Sequence, residues 1–188
     1  MTDVDEKLLV QQAQRNPQAF AALYDLYVER IYAFAYRRTQ DEAAAEDVTS
    51  VTFEKALRHI RSYRWQGVSF GAWLYRIARN EIAQHHRRKR FTLPLLQWHV
   101  SEINVEASVQ TREQRDAVQA AFARLSEGDQ ELLTLRFFEE LSSTEVAEVL
   151  GCSVQNVYLR LHRALGRLRK QLEAAMENAK GDEVHVSQ

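Results

Sequence analysis

Residues 141–172 read LSSTEVAEVLGCSVQNVYLRLHRALGRLRKQL and combine a short helical pattern, a glycine turn and a longer basic helical pattern. Ser142 and Glu145 have the spacing of a capping box, which starts a helix. Gly151 fits the position that follows a helix, where φ is often positive, and Ser153 can cap the next helix. A short helix joined to a longer one by such a turn is typical of a helix-turn-helix. The stretch therefore predicts a motif whose second helix enters the major groove of DNA.

The helix that starts at Ser153 has one apolar and one polar side when its residues are placed at about 100° steps. The polar side presents Gln155, Asn156, Leu159, His162, Arg163 and Gly166, with Tyr158 and Arg169 on one edge and Arg160 and Arg167 on the other. Arginine can pair with guanine, and asparagine or glutamine with adenine. Arg160 and Arg167 are better placed for phosphates, which supply affinity without reading sequence. On spacing alone, an ordinary basic surface helix in an αα-hairpin is the alternative.

Helical periodicity also extends through most of the chain. The 188 residues include only 6 glycines and 2 prolines, the residues that most often interrupt helices. The predicted helix starts are Asn16-Pro17, Asp41, Ser69 and Ser126. Residues 63–68, around Gly67, break the pattern, and residues 178–188 are predicted to form a frayed polar tail. The side chains that we expect to face the cores include Phe20, Leu23, Tyr24, Tyr27, Ile31, Phe34, Val48, Val51, Ile60, Phe70, Trp73, Leu74, Ile77, Val118, Phe122, Leu132, Leu135, Phe138, Val157, Leu161 and Leu165.

The net charge of −1 hides a strong segregation of charge along the chain. Residues 58–90 hold 9 basic and 1 acidic side chains, whereas residues 91–150 hold 4 basic and 11 acidic ones. Solvated helix faces are one interpretation. The segregation is better explained if a polyanion binds the basic blocks and a second partner binds the acidic surfaces.

Aromatic residues alternate with arginines in the basic block. The irregular segment carries Tyr63 and Trp65, and the helix after Ser69 carries Trp73 with Arg76, Arg79, Arg87, Arg88 and Arg90. Single-stranded nucleic acid is bound by such mixtures, because bases stack on rings while the backbone follows the positive charge. Trp73, at helical spacing, is favoured as a core residue. Trp65, outside the helical pattern, is the better candidate for stacking on a base.

Several classes of protein are disfavoured by what the sequence lacks. Cys152 is the only cysteine, which excludes an internal disulfide and a multi-cysteine zinc site. His85 and His86 are adjacent and point apart on a helix, and no catalytic motif is present. The sequence has neither a secretory signal nor an uncharged run long enough for a membrane span. We therefore expect a cytoplasmic protein that is not an enzyme and needs no metal or cofactor.

The patterns together predict an all-α chain of two small helical domains joined by a linker. We predict a first domain over residues 1–92, a linker over 93–111, a second domain over 112–175 and a polar tail over 176–188. The linker is unusually apolar, with Phe91, Leu93, Leu95, Leu96, Trp98 and Val100. Since flexible tethers are polar and rich in Gly and Ser, we expect this linker to lie against a protein surface.

Two groups of motifs resemble a known family. Phe20-x-x-Leu23-Tyr24-x-x-Tyr27, Ala45-Glu46-Asp47-Val48-Thr49 leading to Phe53, and the run from Phe70 to Asn80 resemble region 2 of an extracytoplasmic-function (ECF) sigma factor of bacterial RNA polymerase. Leu150-Gly151-Cys152-Ser153 with Val157, and Arg160-Leu161-His162-Arg163-Ala164-Leu165, resemble region 4 of the same family. The motifs occur in the order of the family and with its gap between them.

The resemblance implies three binding sites. One is for the clamp coiled coil of the polymerase β′ subunit and would use Glu46, Asp47, Thr49 and Phe53. The second would read and open the −10 promoter element, with a flipped base held by the loop, and would use Tyr63, Trp65, Arg76, Arg79, Asn80, Arg87 and Arg88. The third would read the −35 element near the β flap and would use Ser153, Gln155, Asn156, Tyr158, Leu159, Arg160, His162, Arg163 and Arg167.

The resemblance further implies that the linker runs toward the RNA exit path of the polymerase and that an anti-sigma factor holds the protein inactive. Two other functions are weaker alternatives. A regulator of double-stranded DNA would use only the helix-turn-helix, and would leave the aromatic and basic block at 63–90 without a role. A helical hydrolase or metalloprotein is disfavoured by the missing ligand spacing.

Overall fold

The computed structural model describes residues 3–90 and 117–185, and no strand occurs in these ranges. The predicted linker, residues 93–111, lies outside these ranges. The helices are α1 (Asp3–Arg15), α2 (Phe20–Thr39), α3 (Glu42–His59), α4 (Phe70–Arg90), α5 (117–123), α6 (Glu127–Leu133), α7 (Ser143–Leu150) and α8 (Val154–His185), with 3-10 turns at Pro17–Ala19 and Ile60–Ser62 and a π-helical turn at Thr134–Phe138. The all-α prediction is confirmed.

The first unit, α1 to α4, is built around α2, which packs against both α3 and α4. Leu23, Ile31 and Phe34 of α2 are fully buried, as are Phe70 and Leu74 of α4. This agrees with the apolar stripes read from the sequence. The irregular segment is therefore held between the ends of two well-packed helices.

Helix α1 was not predicted from the sequence, although it supports α4. The carboxylate of Glu6 accepts a hydrogen bond from the hydroxyl of Tyr27 and one from the backbone N–H of Phe70, the latter at 3.1 Å. Glu6 therefore satisfies an N–H at the start of α4. Its negative charge also interacts favourably with the positive end of the helix dipole there. Gly71 follows at once, and a Cβ there would lie 2.5 Å from the Tyr27 ring. The close approach of α4 to α2 thus requires glycine.

The capping predictions are confirmed. Ser142 and Glu145 form both hydrogen bonds of the capping box, and Gly151 has φ of 64°. The hydroxyl of Ser153 accepts from the N–H of Asn156 at 3.2 Å. The side chains of Asn16, Asp41, Ser69 and Ser126 likewise accept from backbone N–H groups at the starts of their helices or turns.

Four predicted core residues are wrong, since Tyr24, Val118, Leu165 and Phe138 are 43%, 46%, 43% and 39% exposed. Val118 lies in the first turn of α5. Tyr24 lies at the rim of the core, where its ring meets that of Phe53 edge-on at 4.7 Å. Leu165 is one helical step beyond the narrow buried stripe of α8. Phe138 ends the π-helical turn, which inserts a residue and shifts the phase of the apolar pattern.

The predicted frayed tail is also wrong, because α8 continues to His185. Residues 173–180 read EAAMENAK, and alanine, glutamate, methionine and lysine favour helix even where nothing packs against them. The polar composition that indicated disorder is therefore compatible with a helical extension.

Candidate nucleic-acid interface

The start of α8 presents a polar face to solvent. Gln155, Asn156, Leu159, His162 and Arg163 are exposed, whereas Val157, Leu161 and Ala164 are buried against α6 and α7. Tyr158, on the edge of this face, is 61% exposed, and Ser153 is exposed beside the turn. The structure thus brings the residues predicted for the −35 element onto one surface, with the phase deduced from the sequence.

The two edge arginines of α8 contact α6. Arg167 donates two hydrogen bonds to the carboxylate of Asp129, each at 2.7 Å, and Arg160 reaches the carbonyl of Gly128 at 3.5 Å. The hydrogen bond from Arg167 is the main cause that lowers the pKa of Asp129. In this structure both arginines therefore brace α8 against α6, whereas Arg163 extends from the exposed face of α8.

An aromatic cluster anchors the irregular segment between α3 and α4. The ring of Tyr63 lies 5.4 Å from that of Phe70 and 4.8 Å from that of Trp73, and burial raises the pKa of Tyr63 to about 12. Gln14 of α1 donates to the carbonyls of Ile60 and Tyr63, at 3.1 and 2.8 Å. The start of the segment is therefore fixed from both sides.

A cleft of about 550 Å³ opens beside this cluster. Its walls come from α3, the irregular segment and α4, with Glu148 of α7 on one side, and include Lys55, His59, Tyr63, Trp73, Arg76 and Asn80. A single nucleobase fits such a volume, and the aromatic walls with adjacent cations suit stacking and phosphate binding. Trp65 is half-buried beside the cluster rather than fully exposed.

The arginines predicted for the −10 element differ in their surroundings. Arg87 and Arg88 lie on the exposed face of α4. Arg76 forms an ion pair with Glu148 of α7, and Arg79 donates to Glu131 of α6 at 3.0 Å. Two of these arginines are thus bound by carboxylates of a second unit, which comprises α5 to α8.

The residues predicted to bind the clamp separate into two pairs. Glu46 and Asp47 are exposed on α3. Thr49 is buried and donates to the carbonyl of Ala45 at 2.7 Å, and Phe53 is 5% exposed in the core. Only the two carboxylates present side chains to a partner in this structure.

The sequence patterns did not predict the contacts between the first unit, α1 to α4, and the helices α5 to α8. Glu139 is buried against Tyr75 and Arg37, and Glu131 lies between Arg38 and Arg79. These partners are far apart in the chain, so no local pattern reveals the pairs. The only signal was the alternation of basic and acidic blocks, which we assigned to external partners.

Within residues 3–90 and 117–185, no cluster of His, Cys, Asp or Glu is suited to hold a metal ion. None of the helices that the structure describes is both long and apolar enough to cross a bilayer.

Comparison with known families explains this combination of elements. The family model for Sigma-70 region 2 matches residues 23–92, and the one for Sigma-70, region 4 matches residues 115–168. The second range contains the helix-turn-helix, and the first contains the cleft and α3.

Similar proteins support the same assignment over most of the chain. The ECF RNA polymerase sigma factor BldN of Streptomyces coelicolor is 39% identical over 85% of this chain, which spans 64% of the length of BldN. The RNA polymerase sigma factor YlaC of Bacillus subtilis is 31% identical over 82% of this chain and 92% of its own. The solved structure of CnrH in complex with the cytosolic domain of CnrY has a TM-score of 0.66 at 25% identity, covering 90% of this chain and 97% of CnrH. The chain therefore belongs to the sigma-70 family, in the group of ECF RNA polymerase sigma factors. From here on, α1–α4 are called region 2 and α5–α8 region 4.

Proposed function

We propose that this protein is an alternative sigma factor, which binds core RNA polymerase, recognises the −35 and −10 promoter elements and promotes DNA melting for initiation. The observation that carries the proposal is the presence, on one chain, of an exposed recognition helix in region 4 and an aromatic, basic cleft in region 2. A duplex reader needs only the first of these. A protein that also opens DNA needs the second, because unpaired bases must be held.

In region 4, the exposed face of α8 reads the −35 element. Arg163 lies at the centre of this face and reaches base edges in the major groove, with Gln155 and Asn156 beside it. Arg160 and Arg167 contribute mainly through phosphates and through their contacts with α6. Leu159 offers only an apolar contact, which suits the methyl group of thymine.

In region 2, the cleft receives a base flipped out of the −10 element. Tyr63, Trp65 and Trp73 offer rings for stacking, and Asn80 offers an amide for hydrogen bonds to the base. The strand then follows the positive charge of α4, from Arg76 and Arg79 toward the exposed Arg87 and Arg88.

Region 2 also docks on the polymerase clamp through the exposed carboxylates Glu46 and Asp47, while Thr49 and Phe53 hold α3 in place from the core. Residues 1–92 form this unit, 93–111 the linker, and 112–175 the −35 unit. The protein acts in the cytoplasm with the polymerase and performs no catalysis of its own. An anti-sigma factor controls it, in line with the similarity to CnrH, which was solved bound to another protein.

Run-off transcription tests the proposal. Core polymerase with this protein should start transcripts at defined sites on genomic DNA, and core polymerase alone should not. Arg163→Ala should weaken initiation at the same start sites without loss of helicity. Specific duplex binding without any transcript, in the presence of a core enzyme active with another sigma factor, would contradict the proposal and favour a simple DNA-binding regulator.

A further inference from the structure

The irregular segment between α3 and α4 has little hydrogen bonding of its own. In the part of the chain that the structure describes, the main chain of residues 64–68 neither donates nor accepts a hydrogen bond. Gly67 has φ of 81°, a conformation that glycine adopts most readily. Trp65 and Val68 pack against the core only in part. The shape of this segment therefore depends on how its two ends are held.

Gln14 of α1 holds the first end of the segment. Its side-chain amide donates to the carbonyl of Ile60 at 3.1 Å and to the carbonyl of Tyr63 at 2.8 Å. Both carbonyls follow the end of α3, where a helix leaves acceptors without a partner of its own. One amide group thus fixes the main chain at Tyr63, a residue that lines the cleft.

Glu6, also on α1, holds the second end of the segment. Its carboxylate is buried and accepts from the backbone N–H of Phe70 at 3.1 Å and from the hydroxyl of Tyr27. Since Tyr27 belongs to α2, the group that binds the start of α4 is itself anchored in the core. Glu6 and Gln14 are about two helical turns apart, so one side of α1 supports both ends of the segment.

Helix α1 supports the cleft without forming its surface. The residues that line the cleft come from α3, the irregular segment, α4 and α7, and no described residue of α1 is among them. The family model for region 2 begins at residue 23, beyond the end of α1. A base can stack on Tyr63 at once only if the ring is already in place. Ordering a free segment at the moment of binding would reduce the affinity.

We infer that α1 is a positioning element for the −10 base, in which Gln14 and Glu6 keep the segment in the shape that receives the flipped base before DNA binds. The inference rests on the proposed function, because it takes the cleft as the site of that base. Gln14 is a positioning residue that raises the affinity for the unpaired −10 strand without contacting it. This contribution exists only when a base enters the cleft.

The test uses the full chain with core polymerase and a fluorescein-labelled non-template strand of the −10 region, taken from a start site mapped by run-off transcription. Affinity is measured by fluorescence anisotropy. Each −10 base is removed in turn to give a set of abasic strands. The position at which base removal weakens binding of the parent most marks the flipped base.

The variant Gln14→Met removes the amide donor while it keeps the length of the side chain and a residue that favours helix. The matched control, Gln11→Met, makes the same change at an exposed position of α1. Circular dichroism of both variants checks that helicity is retained. Each variant is compared on the intact strand and on the strand that is abasic at the marked position.

Gln14→Met should bind the intact strand about threefold to tenfold more weakly than the parent, the range expected for one net hydrogen bond. The loss arises because a smaller fraction of molecules has the segment in the receiving shape. On the abasic strand, Gln14→Met and the parent should agree within about twofold, the usual scatter between sites that do not interact. Gln11→Met should match the parent on both strands.

An equal loss for Gln14→Met on the intact and abasic strands would overturn the inference, because a defect in folding or in core binding lowers both affinities alike. Full affinity of Gln14→Met for the intact strand, or an equal loss for Gln11→Met, would also overturn it. A parent holoenzyme that tolerates the removal of every −10 base would instead contradict the proposed function, and the inference with it.

Discussion

The hydroxyl of Tyr75 donates to Oε2 of Glu139 at 2.6 Å and so joins the core of region 2 to region 4 across 64 positions of the chain. Tyr75 is fully buried on α4, and its ring meets that of Phe34 edge-on at 5.2 Å. Burial, followed by the nearby Glu139 carboxylate, raises the pKa of Tyr75 far above its ordinary value. The phenol therefore remains a donor throughout the physiological pH range.

Tyr75→Phe should weaken the contact between the two regions while it keeps the ring that packs against Phe34. The carboxylate of Glu139 loses one donor, and a buried acceptor left without its partner costs about 1–3 kcal/mol. A urea titration followed by both small-angle scattering and circular dichroism checks this. The radius of gyration of the variant should increase at a lower urea concentration than the one at which helicity is lost. The gap between these two concentrations should be wider than in the parent protein. Coincident transitions in both proteins would show that the hydroxyl does not hold the regions together.

Gly71→Ala should destabilise region 2, because the new Cβ would lie 2.5 Å from Cε1 of Tyr27. Overpacking of this kind costs about 1–3 kcal/mol. Gly166→Ala is a matched control, since nothing lies within 4 Å of a Cβ at that position and alanine favours a helix by up to about 1 kcal/mol relative to glycine. Urea unfolding should move in opposite directions for the two variants, and a shift of the same sign in both would contradict the packing of α4 on α2.

Mild acid should destabilise region 2 through His86. Its Nε2 lies 3.1 Å from the carbonyl of Arg38, and burial, then the charge of Arg38, lowers the pKa of His86. The unfolded chain therefore takes up the proton first, so stability is lost as pH falls below about 6.5, the ordinary pKa of histidine. His86→Gln should flatten the dependence of the urea midpoint on pH between pH 7.5 and 5.5. An equally steep dependence in the variant would assign the effect to other groups.

Two arginines of α8 should have different roles, one in reading DNA and the other in holding α8 against α6. Arg163→Ala should cost about 1–3 kcal/mol of binding at the preferred −35 sequence and relax discrimination at the base it reads, with an unchanged urea midpoint. Arg167→Ala should instead lower the urea midpoint of region 4, because Arg167 holds Asp129 of α6 with two hydrogen bonds. Binding selections and urea denaturation of both variants check this. A lower urea midpoint for Arg163→Ala together with relaxed sequence preference for Arg167→Ala would contradict the division.

Local patterns predicted the parts of the fold that depend on neighbours in the sequence. The capping box at Ser142, the left-handed turn at Gly151 and the exposed face around Arg163 each follow from residues within a turn or two of one another. The cleft was foreseen only as a concentration of aromatics and arginines at 63–90. Its walls require the packing of α3 on α4, which the periodicity of either helix does not reveal.

The errors arose where tertiary structure changes a local pattern. The π-helical turn at Thr134–Phe138 shifts the phase and exposes Phe138, which a regular helix would have placed with Leu135. The pairing of Glu139 with Tyr75 was invisible for a different reason, because each residue taken alone resembles an ordinary surface acid or core aromatic. Pairs of this kind become visible only when the two regions are placed together.

Permanganate reactivity of promoter thymines is the most direct measurement of the central claim, that this chain both reads a promoter and opens it. With core polymerase, thymines of the −10 element should become reactive in the presence of this protein. Trp65→Ala should slow their appearance on duplex DNA and less so on a promoter already unpaired there, since base stacking on an aromatic contributes about 1–3 kcal/mol per base. Stable, sequence-specific binding of the holoenzyme with no reactive thymines at any start site would contradict the account.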